Sequence, residues 1–269
     1  MTTIDDRLER GKRAFADVMT FPAPDDLMPA TASFLEFVFA DVWQRPALSR
    51  RDRWFVTLPC VAAADAEVPL REHVYAALNS GDVSITEMQE MVLHFAVYAG
   101  WPKASRFNMS VDEQWDRIHR ERGHTPPPPE PLLPLTTPSD PEERLAAGEQ
   151  SFMDVNCMPF VPIRDNPYSG AGILNFVFGE MWLRPGLAMK QRRLVTVACV
   201  AFQDAPIPIL SHVYAALKSR DVSFDEMDEL AVQFAAYYGW AKASHLTDVI
   251  AEQKQRVLDE WATEADVVP

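Results

Sequence analysis

The chain is written twice, and that repeat limits what it can fold into more than any other feature. His73-Val74-Tyr75-Ala76-Ala77-Leu78 returns as His212-Val213-Tyr214-Ala215-Ala216-Leu217, 139 positions later. The same displacement carries Trp43 to Trp182, Arg45-Pro46 to Arg184-Pro185 and Cys60 to Cys199. It also carries Gly100-Trp101 to Gly239-Trp240 and Lys103-Ala104-Ser105 to Lys242-Ala243-Ser244. The register needs no gap from Leu35 to Ser105, and roughly half of the paired positions are identical, far beyond chance. Upstream the displacement shortens by two, so that Leu8, Gly11, Phe15, Asp17 and Val18 meet Leu145, Gly148, Phe152, Asp154 and Val155. The repeating unit is about 120 residues, an ordinary size for one domain.

Between the copies lies Thr125-Pro126-Pro127-Pro128-Pro129-Glu130-Pro131, continuing through Pro134, Pro138 and Pro141. Proline fixes φ and donates no backbone hydrogen bond, so this stretch is neither helix interior nor central strand. It reads as an extended spacer. The expected organisation is a first domain over residues 1–124, a proline-rich linker over 125–141 and a second domain over 142–269.

Each copy reads as helices. From Ser84 to Gly100 the apolar residues Ile85, Met88, Met91, Val92, Phe95, Ala96 and Ala99 share one face of a 3.6-residue period. Ser84 with Glu87, and Ser223 with Glu226, have capping-box spacing, and Gly100 and Gly239 sit where those helices should stop. The segments from Arg51 to Val61 and Arg192 to Phe202 are apolar nearly all round, as a buried central helix would be. Pro59 falls inside the first of these, where the second has Ala198, so a kink and a difference in shape are expected there. Further helices are predicted at Ile4–Met19, Ala32–Trp43, Leu70–Ser80 and Ala104–Arg122. No stretch alternates with a period of two, so the fold class is all-α, with two tandem helical domains.

The net charge is −14, from 25 Lys and Arg against 39 Asp and Glu. Nucleic acid and anionic membranes reward a positive face, so neither is expected as a partner. Three cysteines, Cys60, Cys157 and Cys199, have no Cys-x-x-Cys spacing, which excludes a disulfide framework and a zinc ribbon. Cys60 and Cys199 are expected to be buried and far from a second thiol, with no metal and no redox role. The amino terminus has no apolar core of a secretory signal. The longest apolar stretches fall short of the ~20 residues that span a bilayer. The sequence is read as that of a soluble, cytoplasmic protein.

Phe176-Val177-Phe178-Gly179-Glu180-Met181-Trp182-Leu183-Arg184-Pro185-Gly186-Leu187 resembles the carboxymuconolactone decarboxylase family. The resemblance continues through Arg192, Leu194-Val195-Thr196, the His212 motif and Ala235-Ala236-Tyr237-Tyr238-Gly239-Trp240. The first copy fits nearly as well, with Asp41 for Glu180 and Ala40 for Gly179. The resemblance implies an all-helical fold that single-domain members build into a hexameric ring. Three tandem chains would restore six units, so a homotrimer is expected. The related alkylhydroperoxidase D-like branch uses a Cys-x-x-Cys pair before its histidine. The residues before His73 and His212 hold no cysteine, which argues against thiol peroxidase chemistry.

The resemblance makes His73 and His212 the candidate catalytic residues, since histidine titrates near neutral pH; packing or capping a helix is the competing role. Asp41 and Glu180 sit in apolar helix and need a partner. That partner is either Arg45 or Arg184 by i,i+4 pairing, the reading favoured here, or the histidine. Arg45 and Arg184 either clamp a substrate carboxylate or cap a helix end, and Arg53 and Arg192 pose the same choice. Trp43, Trp182, Tyr75 and Tyr214 are candidate substrate-binding residues, with Tyr98 and Tyr237 as further aromatics that line either a pocket or the core. Two functions are expected to compete. One is a cofactor-free lyase acting on a small carboxylated lactone or similar activated acid, with histidine as general acid or base. The other is a non-catalytic scaffold or small-ligand-binding oligomer of the same fold. Glu67 and Glu72 give way to Pro206 and Ser211 in the second copy, so two equal sites are not expected.

Overall fold

The computed structural model describes residues 4–25, 28–127, 133 and 135–267. Most of the proline run of the expected linker, 128–132 and 134, lies outside the described residues. In the first copy α1 (Ile4–Met19) is followed by α2 (Pro29–Ser33), which runs into a π-helix (Phe34–Val42). Then come α3 (Arg50–Ala63), α4 (Glu67–Asn79), α5 (Ile85–Ala99) and α6 (Trp101–Glu121). The second copy repeats the order as α7 (Pro141–Asn156), a second π-helix (Tyr168–Phe178), a 3-10 turn (Met181–Leu183), α8 (Met189–Phe202), α9 (Pro206–Lys218), α10 (Phe224–Tyr238) and α11 (Trp240–Val267). Among the described residues there is no strand, and the all-α fold read from the sequence is the one observed.

Local chemistry sets the ends of these helices. Both capping boxes form: Ser84 and Ser223 accept from the amides of Glu87 and Glu226, whose carboxylates accept in return. Gly100 and Gly239, at φ 92° and 111°, end α5 and α10 in a backbone region that other residues avoid. Asp140 accepts from the amides of Glu142 and Glu143 at the start of α7. The helix predicted at Ala32–Trp43 is present, but most of it winds as a π-helix. Phe34–Val42 is apolar except for Glu36 and Asp41, too few polar positions to fix its winding. Pro59 does not shorten α3, which runs for 14 residues like α8.

Every residue of α3 from Asp52 onward, and of α8 from Gln191 onward, is buried. The two helices pack against each other, with α10 laid on α3 and α5 laid on α8. One continuous apolar core therefore joins the copies, with Trp54, Phe55 and Leu58 in the same cluster as Leu194, Val197 and Phe234. Each such side chain contributes about 1.5–3 kcal/mol by leaving water, so a lone copy would expose a costly helix face. Cys60 and Cys199 lie in this core, both fully buried. They are not remote from one another, as the sequence reading expected. Burial pushes the Cys199 thiol up, and the nearby Cys60 pushes it further.

The opening helix of each copy meets its π-helix backbone to backbone. A Cβ on Gly11 would lie 2.4 Å from the Leu35 carbonyl oxygen, and one on Gly148 would lie 1.7 Å from that of Leu174. Neither contact can yield by rotating a side chain. Gly11→Ala and Gly148→Ala should each lower stability by at least about 1–3 kcal/mol, Gly148→Ala by more, measured by urea denaturation.

Candidate functional site

Two rows of side chains at i, i+4 and i+8 carry the site. On α5 they are Glu90, His94 and Tyr98; on α10 they are Glu229, Gln233 and Tyr237. Each row falls on one helical face, and because α5 and α10 pack on the opposite copy's central helix, each row completes the other copy's site.

The α10 row begins with charge. Arg45 holds Glu229 with two hydrogen bonds from Nε, at 2.8 and 2.9 Å, and an Nη2 contact of 2.7 Å. Arg53, fully buried, reaches the same carboxylate at 2.9 Å, Gln233 Oε1 at 3.0 Å and the Arg45 carbonyl at 2.8 Å. Gln233 in turn donates to Thr57 Oγ1 at 2.8 Å. Burial alone would push the Glu229 carboxyl up, but the two guanidiniums outweigh it and hold the group below its ordinary range.

Tyr237 ends the row beside His73. Trp43 Nε1 donates to the Tyr237 hydroxyl at 2.8 Å. The His73 Nδ1–H donates to the Pro69 carbonyl at 2.7 Å, so Nε2 carries the lone pair and accepts the Tyr237 O–H at 3.3 Å. Burial pushes His73 down to about 4, opposed only by the Pro69 bond. The ring is neutral at pH 7. A cavity of about 300 Å³ opens here, with Phe15, Phe34, Val61, Glu72, His73 and Tyr237 among its walls and no Lys or Arg.

The sister position keeps the frame and changes the contents. Arg184 grips Glu90 through Nε at 2.9 Å and Nη2 at 2.7 Å. Arg192 donates to the Arg184 carbonyl at 2.6 Å and to His94 Nδ1 at 3.4 Å. An arginine can only donate, so His94 carries its proton on Nε2 and gives it to Thr196 Oγ1 at 2.7 Å. Burial pushes Arg192 down to about 10. Trp182 Nε1 donates to Tyr98 at 3.1 Å, whose hydroxyl lies 3.4 Å from His212 Nε2. His212 Nδ1 is buried with no hydrogen-bond partner among the described residues. Burial, then Arg193, pushes His212 down to about 3.

The structure therefore links His73 to Trp43 through Tyr237 and stacks His212 on Trp182, while Arg45 and Arg184 sit at the far ends of the rows, on Glu229 and Glu90, away from the histidines. Asp41 and Glu180 lie elsewhere. Asp41 pairs with Arg7 and Arg10 at the surface. Glu180 is half-buried and acts on Arg184 only electrostatically. The i,i+4 pairs do not form because each π-helix ends before the arginine, at Val42 and Phe178. Tyr75 and Tyr214 donate to Glu121 and Glu260, at 2.7 Å each, on the outer helices. Tyr75 is not among the walls of the His73 cavity. Glu90, Glu229, His94 and Gln233 were not singled out in the sequence. The available signal was a Glu…Tyr row with eight-residue spacing, repeated in both copies.

Fold and site define a duplicated all-helical protein in which each copy completes the histidine position of the other. The family model described as carboxymuconolactone decarboxylase matches residues 29–108 and 167–252, once in each copy, and the chain belongs to that family. It is 40% identical over 78 residues to the 4-carboxymuconolactone decarboxylase of Acinetobacter baylyi, covering 29% of this chain and 57% of the relative. It is 39% identical over 74 residues to a nitrosuccinic acid decarboxylase of Metarhizium robertsii, covering 28% and 51%. The chain spans little more than half the length of these relatives.

Three buried histidines held neutral make stability depend on pH. For His73 and His212 the folded pKa lies below the unfolded value of about 6.5. In that window the unfolded chain binds the protons, so stability is full above about pH 6.5 and falls toward pH 4 and 3. His94 is shifted the same way by burial and by Arg192. Urea titrations between pH 7 and 5 should show falling stability, and His94→Gln, which installs the residue found at Gln233, should flatten that slope. An unchanged slope would show that His94 does not contribute.

Proposed function

We propose that the chain is a decarboxylase of its family, acting on a small activated acid in the cavity beside His73. The reading rests above all on the Trp43–Tyr237–His73 chain of hydrogen bonds at the wall of that cavity. Family membership and the names of the two relatives support it. Loss of carbon dioxide leaves a carbanion equivalent that the substrate's own carbonyl or nitro group can delocalise. The protein then needs to orient the acid and manage one proton.

His73 is neutral, with Nδ1–H tied to Pro69, so it serves as the accepting partner of Tyr237 and not as an imidazolium acid. The largely apolar wall suits a reaction whose negative charge spreads as carbon dioxide departs. Arg45 and Arg184 do not act as substrate clamps in this reading, because each already holds a buried glutamate. A carboxylated lactone and a nitro-substituted succinate are both small activated acids of the proposed class. Carbon dioxide release from 4-carboxymuconolactone and from nitrosuccinate tests it. Turnover of at least one is expected, and turnover of neither sinks the reading. With the active acid, His73→Asn should lower kcat by about 10²–10⁴-fold, and Tyr237→Phe, which removes only the hydroxyl, should lower it by at least about tenfold. Circular dichroism melts establish that both variants are folded.

A further inference from the structure

The two histidine positions are framed alike, yet their surroundings have diverged in one direction. At the mouth of the His73 cavity stands Ala64; its counterpart Gln203 lays its amide on the Tyr98 carbonyl. The wall residue Ala236 has Val97 as its counterpart, which packs into the small apolar cluster around Trp182. Ser211 replaces Glu72, and its hydroxyl donates to the Pro208 carbonyl at 3.2 Å. That carbonyl is the equivalent of the one that fixes His73 through Nδ1. His212 instead stacks on Trp182, 6.0 Å between ring centres and 11° between planes, with Nδ1 unsatisfied among the described residues.

Glu72 is the remaining polar group of the His73 cavity that the hydrogen-bond chain does not use. It is half-buried among apolar walls. No hydrogen bond or ion pair holds it among the described residues. The charged and titratable groups around it are Arg117, from α6, and His73 and Tyr237 across the cavity. Burial pushes its carboxyl up against the opposing pull of Arg117, while burial pushes His73 down. Burial thus favours the protonated form of the carboxyl and the neutral form of the ring.

We propose that Glu72 is the proton donor of the His73 cavity, and that its replacement by Ser211 leaves the chain with one working site instead of two. The inference rests on the decarboxylase reading of this cavity. In the step, the carbon–carboxylate bond breaks and carbon dioxide leaves, its electron pair staying on the substrate carbon. That carbon takes the Glu72 proton, forming a C–H bond as the O–H bond breaks. Glu72 is left as a carboxylate and regains a proton from solvent at the cavity mouth. Nothing is oxidised or reduced by the protein.

The experiment compares wild type, Glu72→Gln and Glu72→Ser in the full chain. Carbon dioxide release is measured alongside the NMR signal of methyl-labelled Met19, a cavity wall residue, during titration with benzoate as a flat acid probe. Both variants should lose kcat by about 10²-fold or more, with KM changed less than about threefold, the melting temperature retained and the benzoate shift at Met19 preserved. If two equal sites worked, removing one acid would cost at most half the rate. A variant that keeps half or more of the wild-type kcat therefore overturns the proposal while leaving the decarboxylase reading intact. If wild type releases no carbon dioxide from either acid, that reading fails and the proposal falls with it. Benzoate that leaves Met19 unshifted overturns the proposal whatever the rates.

Discussion

The structure depends on a buried guanidinium in each half that its own half does not neutralise. Arg53 and Arg192 sit on the central helices, 0% and 1% exposed. A charge so placed is destabilising by several kcal/mol unless it is paired and hydrogen-bonded. For Arg53 the carboxylate comes from Glu229, 176 residues along the chain. For Arg192 the nearest relief is carbonyl oxygens and the field of Glu90, which Arg184 grips directly. The same helical rows that bring these glutamates across also bring Tyr237 to His73 and Tyr98 to His212. The element that neutralises the buried charge is therefore the element that completes the site.

Fusion of the two copies explains why the sites differ. In a symmetric pair of identical subunits any substitution appears on both sides of the contact. Within one chain it appears once, so Glu72 can face the cavity while Ser211 occupies the sister carbonyl. Trp54 can likewise stand where Arg193 lies over the Trp182 ring at 5.4 Å. His94 opposite Gln233 is a third case. Both side chains bridge an arginine to a threonine, and only the histidine adds a group whose protonation opposes folding.

The repeat, the helices and the histidine positions were legible because each leaves a local signature of spacing, capping or identity. The arginine–glutamate pairing was not, because its partners are far apart in sequence and a nearer carboxylate offered a plausible i,i+4 match. Asp41 and Glu180 had the right spacing but the wrong local structure, since the helix stops short of Arg45 and Arg184. The two tandem helical domains were legible, but not how far their central helices cover one another. Helices apolar on every side, such as α3 and α8, signal a buried environment but do not say whose surface buries them. Here each is buried largely by the other copy. The proximity of Cys60 and Cys199 follows from the same contact.

The central claim is that the two copies are one cooperative unit, joined by a shared core and by crossed charges. It is tested most directly by urea unfolding of protein labelled with fluorotryptophan, following the separate fluorine signals of Trp43 in the first copy and Trp182 in the second. Coincident midpoints and slopes are predicted, because neither half can open without stranding the other's buried arginine. Two separated transitions, one for each tryptophan, would contradict the account.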